Sequence, residues 1–138
     1  MIKMFTLKKR LKAHEGFRAD IYRCSAGYWT CGYGHRIGNG QACKISPRVA
    51  NLILEEDIHQ ATFKYLSLGW VLDSVRKDLI IEMIFWHGFK GFLKFKKCIA
   101  AIEKQDWNEA ADEMMDSNSG REYKTRMSEL AGLMRRGC

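Results

Sequence analysis

The stretch HEGFRADIYRCSAGYWTCGYGH, residues 14–35, decides the fold because it interrupts an otherwise helical sequence. From Asp20 to His35, aromatic and β-branched residues favour strands, and the Ser25-Ala26-Gly27 segment supplies a turn signal. This pattern predicts a small antiparallel hairpin or meander, followed by a glycine-rich loop at residues 38–40.

Helical periodicity dominates the sequence on both sides of that stretch. Apolar spacing predicts helices over about residues 3–13, 47–65, 74–88, 92–102, 106–115 and 122–136. Ser46, Asp73 and Asp106 are the predicted N-caps, and Gly137 is the predicted C-cap of the last helix. Residues 118–120, Asn-Ser-Gly, are predicted to break the helical run.

These elements predict an α+β fold with a leading helix, one small antiparallel sheet and a helical body. At 138 residues, the chain fits one domain with its own hydrophobic core. We expect a sheet lobe at about residues 15–60, and a helical lobe at about residues 61–138 that also takes in the N-terminal helix. A cleft between sheet and helices is the expected place for a ligand.

The composition limits the classes of partner. The net charge of +7 suits an acidic polymer, an anionic membrane surface or a bacterial envelope. Five cysteines form neither a CxxC pair nor a zinc-type cluster, and their odd number favours folding in a reducing cytoplasm. No signal peptide or membrane span is visible, so an extracytoplasmic substrate would require another agent to deliver the protein. No phosphate loop, serine elbow or metal site is recognisable, and we expect neither a metal nor a cofactor.

The residues with catalytic potential lie at fixed spacing in the deciding stretch. Eight residues separate Glu15 from Cys24, and five separate Cys24 from Thr30. With Gly32-Tyr33-Gly34-His35, this spacing resembles the active-site region of phage-type lysozymes, the family of T-even phage lysozyme. That family's motif is a Glu, eight residues, an Asp or less often a Cys, five residues and a Thr. The similarity continues more weakly to residue 137.

The resemblance implies a muramidase that hydrolyses the β-1,4 bond between N-acetylmuramic acid and N-acetylglucosamine in bacterial peptidoglycan. An inverting glycosidase needs an acid for the leaving oxygen and a group that holds water on the opposite face of the sugar. Glu15 is the expected acid and is therefore expected to be partly buried. Cys24 and Thr30 are expected to activate or position the water. Asp20, the nearest carboxylate, is expected to be a surface charge or a residue at the start of a strand.

Cys24 is the main departure from the commoner family residue, which is Asp. As a thiolate it could stabilise positive charge on the sugar, activate water or attack the anomeric carbon. As a thiol it would be a weaker positioner of water, and as a disulfide partner of Cys31 or Cys43 it would keep the enzyme inactive until reduced. A small buried hydrophobe is the structural alternative.

Other residues take expected roles from the resemblance. Arg126 matches the arginine that the family places against the catalytic Glu, and His35 with Asp57 matches a structural pair. The residues expected to bind substrate are Phe85, Trp86 and Tyr33. Cys98 and Glu113 stand where the family usually has smaller polar cleft residues.

Two alternatives from other classes remain open. One is a catalytically weak relative that only binds peptidoglycan. This alternative remains because Cys24 replaces the commoner catalytic Asp. The other is a basic nucleic-acid-binding domain, which lacks any recognition motif here, so we expect no nucleic-acid partner. We expect a monomer that waits in the host cytoplasm until the membrane is permeabilised and then acts on the cell wall.

Overall fold

The computed structural model describes residues 2–23, 25–38 and 45–138, with only the backbone described for residues 2–7. The elements are α1 (Ile2–Glu15), β1 (Arg18–Arg23), β2 (Trp29–Gly32), β3 (His35–Gly38), α2 (Pro47–Leu66), α3 (Ser74–Leu93), α4 (Lys96–Glu103), α5 (Trp107–Met115), α6 (Asn118–Glu122) and α7 (Lys124–Arg136). This order confirms the predicted α+β class. Two compact units divide the chain, Met1–Asn51 and Leu52–Cys138.

The sheet of the first unit is the predicted meander. Its strand order is β1-β2-β3, and both neighbouring pairs are antiparallel. Thr30 in the central strand pairs with Tyr22 on one side and with Arg36 on the other. The central position leaves Thr30 only 1% exposed. Of the predicted loop at residues 38–40, Gly38 ends β3, and the other two residues lie outside the described residues.

Helix α1 runs two residues beyond its predicted end, so that Glu15 is its last residue. Gly16 then adopts φ +68°, a left-handed conformation that glycine reaches without the strain of a Cβ atom. Its N–H donates to the Lys12 carbonyl at 3.0 Å, which closes the final turn. The helix therefore delivers Glu15 to the start of the sheet.

The second unit holds a methionine-rich core around α3, α4, α5 and α7. The fully buried large side chains in this core are Ile80, Met83, Phe92, Cys98, Ile102, Met114, Met127 and Met134. The predicted caps are confirmed, because Asp73 accepts from the Arg76 N–H and Asp106 from the Glu109 N–H, both at 3.1 Å. The helix predicted to end at Gly88 is instead kinked there, at φ 73°, and α3 continues to Leu93.

A buried arginine ties α3 to the end of α7. The Arg76 guanidinium donates to the carbonyls of Met134 at 2.7 Å and Arg135 at 3.0 Å. It also forms a 2.9 Å ion pair with Asp73. Burial alone would raise the pKa of the Asp73 carboxyl, but the hydrogen bonds and charge of Arg76 hold that pKa below its ordinary value. Otherwise unpaired carbonyls at the end of α7 are thereby satisfied.

The predicted break at residues 118–120 is wrong, since this segment forms helix α6. The Ser117 hydroxyl caps it by accepting from the Gly120 N–H at 2.9 Å. Gly120 is required by packing, because a Cβ atom there would lie 2.8 Å from the carbonyl carbon of Met115. No helix in residues 2–23, 25–38 and 45–138 is long and apolar enough to cross a membrane.

Candidate active site

The Glu15 carboxyl lies against the turn that joins β2 to β3. A Cβ atom placed on Gly34 would be 2.8 Å from Cδ and 3.1 Å from Cγ of Glu15. The side chain therefore occupies space that only a glycine leaves open. Glu15 is exposed, and the expectation of partial burial is wrong for this structure. The reason is local, because the neighbouring Gly16 and Gly34 have no side chains to cover the carboxyl.

Thr30 is buried in the central strand with its hydroxyl already engaged. Its Oγ1–H donates to the Tyr28 carbonyl at 3.0 Å. The hydroxyl proton is therefore committed, and the oxygen keeps lone pairs that can accept a hydrogen bond. A water molecule that bonds to Thr30 would do so as the donor.

Cys24, the second residue of the motif, lies outside the described residues, and its three possible roles stay predictions. Its nearest neighbour in sequence within the sheet, Arg23, pairs with Trp29 at the end of β1. Cys31 is a free thiol in this structure.

Tyr33 presents an exposed ring in the same turn as Gly34. The ring is 47% exposed and packs against Phe17, with centroids 5.3 Å apart. Lys12, a residue of α1, places its Nζ 5.0 Å from the centroid of the Tyr33 ring. Tyr33 therefore offers an accessible aromatic surface in the same unit as Glu15.

In the second unit, Arg126 is fixed by two contacts that sequence reasoning missed. Its guanidinium forms a 3.1 Å ion pair with Glu82 and lies 4.1 Å from the centroid of the Trp86 ring. Trp86 in turn meets the Tyr123 ring edge-on at 5.6 Å. Arg126 and Glu82 stand 44 positions apart, so no local pattern signals the pair.

Phe85 is 43% exposed and lines two cavities of the second unit. One of about 320 Å³ includes Asp57 in its lining, and the other, of about 650 Å³, includes Arg126 and Glu82. Phe85 is therefore a cavity wall and not a core residue. Of the predicted site residues, Phe85 lines both cavities, Asp57 only the smaller one and Arg126 only the larger one.

A third cavity of about 610 Å³ is lined by residues that include His87, Phe95, Cys98 and Glu113. His87 Nδ1 lies 3.0 Å from the Met83 carbonyl, so Nδ1 carries the proton. Nε2 then accepts from the Ser119 hydroxyl at 2.8 Å, a contact absent from the sequence prediction.

Burial determines the ionisation of two groups at this third cavity. It lowers the pKa of the His87 imidazole, and the Arg126 charge acts in the same direction against the hydrogen bond to the Met83 carbonyl. Burial, with a smaller contribution from the Glu113 carboxylate, raises the pKa of the Cys98 thiol to about 12. Both groups are therefore neutral near pH 7.

The remaining predictions concern His35, Asp57 and metal binding. His35 is exposed at the start of β3, and its proposed pairing with Asp57 stays a prediction. Within the part of the chain that the structure describes, no group of three or more His, Cys, Asp or Glu residues is arranged to hold a metal ion.

The sequence of this chain is similar to that of known proteins over most of its length. The family model for phage lysozyme matches residues 12–137. A probable T4-type lysozyme 1 from Dictyostelium discoideum is 29% identical, with 96% of this chain and 95% of the relative covered. An endolysin from Acyrthosiphon pisum secondary endosymbiont phage 1 is also 29% identical, with 91% and 86% covered. A second Dictyostelium discoideum protein, probable T4-type lysozyme 2, is 24% identical over 96% of this chain.

Proposed function

Because the chain belongs to the phage lysozyme family and is a glycoside hydrolase of the lysozyme type, we propose that Glu15 is its general acid. The proposed reaction is hydrolysis of the β-1,4 bond between N-acetylmuramic acid and N-acetylglucosamine in bacterial peptidoglycan. One observation carries the assignment: the Glu15 carboxyl lies against Gly34, which has no side chain. Gly34 belongs to the hairpin that also holds Thr30.

The proposed acid step transfers the Glu15 proton to the glycosidic oxygen as the bond to the anomeric carbon breaks. A water molecule adds to that carbon, and its proton is released to a base or to solvent. Thr30 supports this step because its oxygen can accept a hydrogen bond from the water while its own O–H donates to the Tyr28 carbonyl. A buried acceptor in a central strand has a fixed position, and a fixed position lowers the entropic cost of aligning the water.

Cys24 is proposed as the third member of this constellation. A thiolate would draw the proton from the water or stabilise positive charge on the sugar ring, and a thiol would only help to hold the water. The roles of Arg126, His35 and Asp57 as supporting residues rest on the family resemblance.

Three aromatic residues are proposed to contact the sugar chain. Phe85 and Tyr33 have exposed rings, which suit packing against the apolar faces of sugars. Trp86 is half-buried and already contacts Arg126, so we propose that its effect on substrate binding is smaller than that of Phe85. The proposed place of action is the cell wall, reached from the host cytoplasm after the membrane is permeabilised.

The test measures release of reducing ends from purified peptidoglycan in the presence of reductant. Glu15→Gln should lower the rate by about 10²–10⁴-fold, the usual contribution of general acid catalysis. Asp20→Asn is the matched control, because Asp20 is an exposed carboxylate five residues away on β1. It should change the rate by less than about threefold, since surface charges away from a site have small effects.

Two Cys24 variants extend the same assay. Cys24→Asp should retain or raise the rate, and Cys24→Ser should lower it if a thiolate is required. A folded wild-type protein that binds peptidoglycan without releasing reducing ends, even with Cys24→Asp, would exclude hydrolysis. That result would support the alternative, in which this chain only binds peptidoglycan.

A further inference from the structure

The third cavity of the second unit contains a serine and a histidine to which the proposed glycan hydrolysis gives no role. His87 of α3 and Ser119 of α6 both line it. Its volume of about 610 Å³ lies within the range of small-molecule sites. The two residues stand 32 positions apart, so the fold brings them together.

The hydrogen bonds of this pair have the direction that activation of a nucleophile requires. The Ser119 hydroxyl donates to His87 Nε2 at 2.8 Å, and His87 Nδ1–H donates to the Met83 carbonyl at 3.0 Å. Because a carbonyl oxygen can only accept, this second bond fixes the tautomer and leaves Nε2 without a proton. A hydroxyl bonded to a base that a third group orients is the geometric signature of an activated nucleophile.

Both members of the pair are held in place by their neighbours. The Phe95 ring meets the His87 imidazole edge-on, with centroids 5.0 Å apart, and the Trp86 centroid lies at 4.3 Å. The Ser117 cap fixes the first turn of α6, in which Ser119 lies. Since burial lowers the pKa of His87, the imidazole is neutral near pH 7 and can take a proton.

The rest of the cavity lining favours the serine as nucleophile and an anionic intermediate. Burial raises the pKa of the Cys98 thiol to about 12, so Cys98 supplies no thiolate near pH 7. Ammonium groups on the lining would stabilise an oxyanion that forms in the cavity. The charged residues of the lining are three lysines and two carboxylates, namely Lys94, Lys96, Lys97, Glu113 and Asp116.

We propose that Ser119 and His87 form a second catalytic site, which hydrolyses small acyl esters. Ser119 Oγ attacks the carbonyl carbon of the ester while its proton passes to His87 Nε2. The bond to the alcohol oxygen then breaks, the leaving oxygen takes that proton, and the acyl group stays on Ser119. Water attacks the acyl carbon and gives a proton to Nε2, which returns it to Oγ as the acid leaves. One ester and one water become one acid and one alcohol.

The group that orients the histidine determines that esters, and not amides, are the substrates. In a serine–histidine–aspartate triad, the carboxylate charge stabilises the imidazolium that forms during the reaction. The Met83 carbonyl supplies only a dipole, and the charge of Arg126 disfavours the imidazolium. The resulting base is weak, so the leaving group must depart readily. The alcohol of an ester meets this condition better than the amine of an amide.

The first experiment measures hydrolysis of 4-nitrophenyl acetate by the full chain near pH 7. Wild type should release many equivalents of 4-nitrophenol, because acyl-Ser119 is hydrolysed whereas an acylated surface lysine is not. Ser119→Ala and His87→Gln should each lower the rate by about 10²-fold, the lower end of what general base catalysis contributes.

Ser67→Ala is the matched control. Ser67 is another serine of the second unit, and its exposed hydroxyl donates to the Lys64 carbonyl instead of a histidine. This variant should stay within about threefold of wild type. A rate that survives Ser119→Ala would assign the hydrolysis to other surface groups and overturn the proposal.

Covalent labelling of the wild-type chain gives an answer even if a variant does not fold. A fluorophosphonate, which phosphonylates activated serines with loss of fluoride, should label Ser119 in preference to Ser67, as located by mass mapping. In folded His87→Gln, labelling of Ser119 should be about 10²-fold slower. Folded wild type in which Ser119 stays unlabelled would refute the proposal. Since neither probe contains a glycosidic bond, the result stands whether or not Glu15 is the general acid.

Discussion

Substituting alanine for Gly34 should lower the rate of glycan hydrolysis about a hundredfold, because the new methyl group would take the space of the Glu15 carboxyl. The Cβ atom would lie 2.8 Å from Glu15 Cδ, whereas ordinary contact begins at 3.4 Å. The carboxyl must therefore retreat by about 0.6 Å. A displacement approaching 1 Å at a reacting group lowers the rate by a factor on the order of 10², even though the reacting group itself is unchanged.

Gly32→Ala supplies the matched control from the same hairpin. Gly32 has φ 61° and Gly34 has φ 71°, so alanine is strained at both positions, by roughly 1–2 kcal/mol of unfolding free energy. A Cβ atom on Gly32 has no neighbour within 4 Å, however, so this substitution leaves Glu15 in place. Both variants should lose similar stability in urea titrations, and only Gly34→Ala should lose most of its activity.

The assay is the initial rate of reducing-end release across a range of peptidoglycan concentrations, at a temperature where both variants are folded. Displacement of the acid should lower kcat and leave KM nearly unchanged, since the proton is transferred only in the transition state. Equal activity losses in the two variants would refute the reasoning, because they would trace the loss to backbone strain. An active Gly34→Ala enzyme would show that the Glu15 position seen here is not the one used in catalysis.

Three further predictions concern the second unit. Burial lowers the pKa of His87 in the folded protein. The contribution of the neutral imidazole to the free energy of unfolding should therefore be complete above the pKa of the unfolded state, about 6.5, and be lost as pH falls through the lower pKa of the folded state. The slope should be up to about 1.4 kcal/mol per pH unit. Urea titrations at several pH values should therefore show a shallower decline for His87→Asn, and identical slopes would contradict this account. Iodoacetamide at pH 8 should label the exposed Cys138 and spare Cys98, whose pKa is raised to about 12; mass mapping of labelled Cys98 from folded protein would disagree. Phe92→Ala should cost about 3–5 kcal/mol of unfolding free energy because Phe92 is 0% exposed. Phe85→Ala should cost less than half of that and should instead raise KM. A larger loss of unfolding free energy for Phe85→Ala than for Phe92→Ala would contradict the assignment of Phe85 to a cavity wall.

Local signals in the sequence were sufficient for most elements of this fold. The caps at Asp73 and Asp106 and the turns of the meander depend on contacts within about four residues, and all of them form as predicted. Helix α6 is the exception, because a weak helical composition was overridden by the Ser117 cap and by packing that only Gly120 permits. The spacing of Glu15 and Thr30 likewise needed no structure, since it belongs to one continuous stretch.

Only the tertiary structure decided which distant groups meet. Arg126 pairs with Glu82 across 44 positions, and His87 accepts from Ser119 across 32. Such contacts depend on the path of the chain, which periodicity and capping do not specify. The sequence by itself determined that Glu15 lies between the first helix and a glycine-rich hairpin. The structure decided that Gly34 is the residue it packs against, because that contact depends on the angle at which the helix enters the sheet.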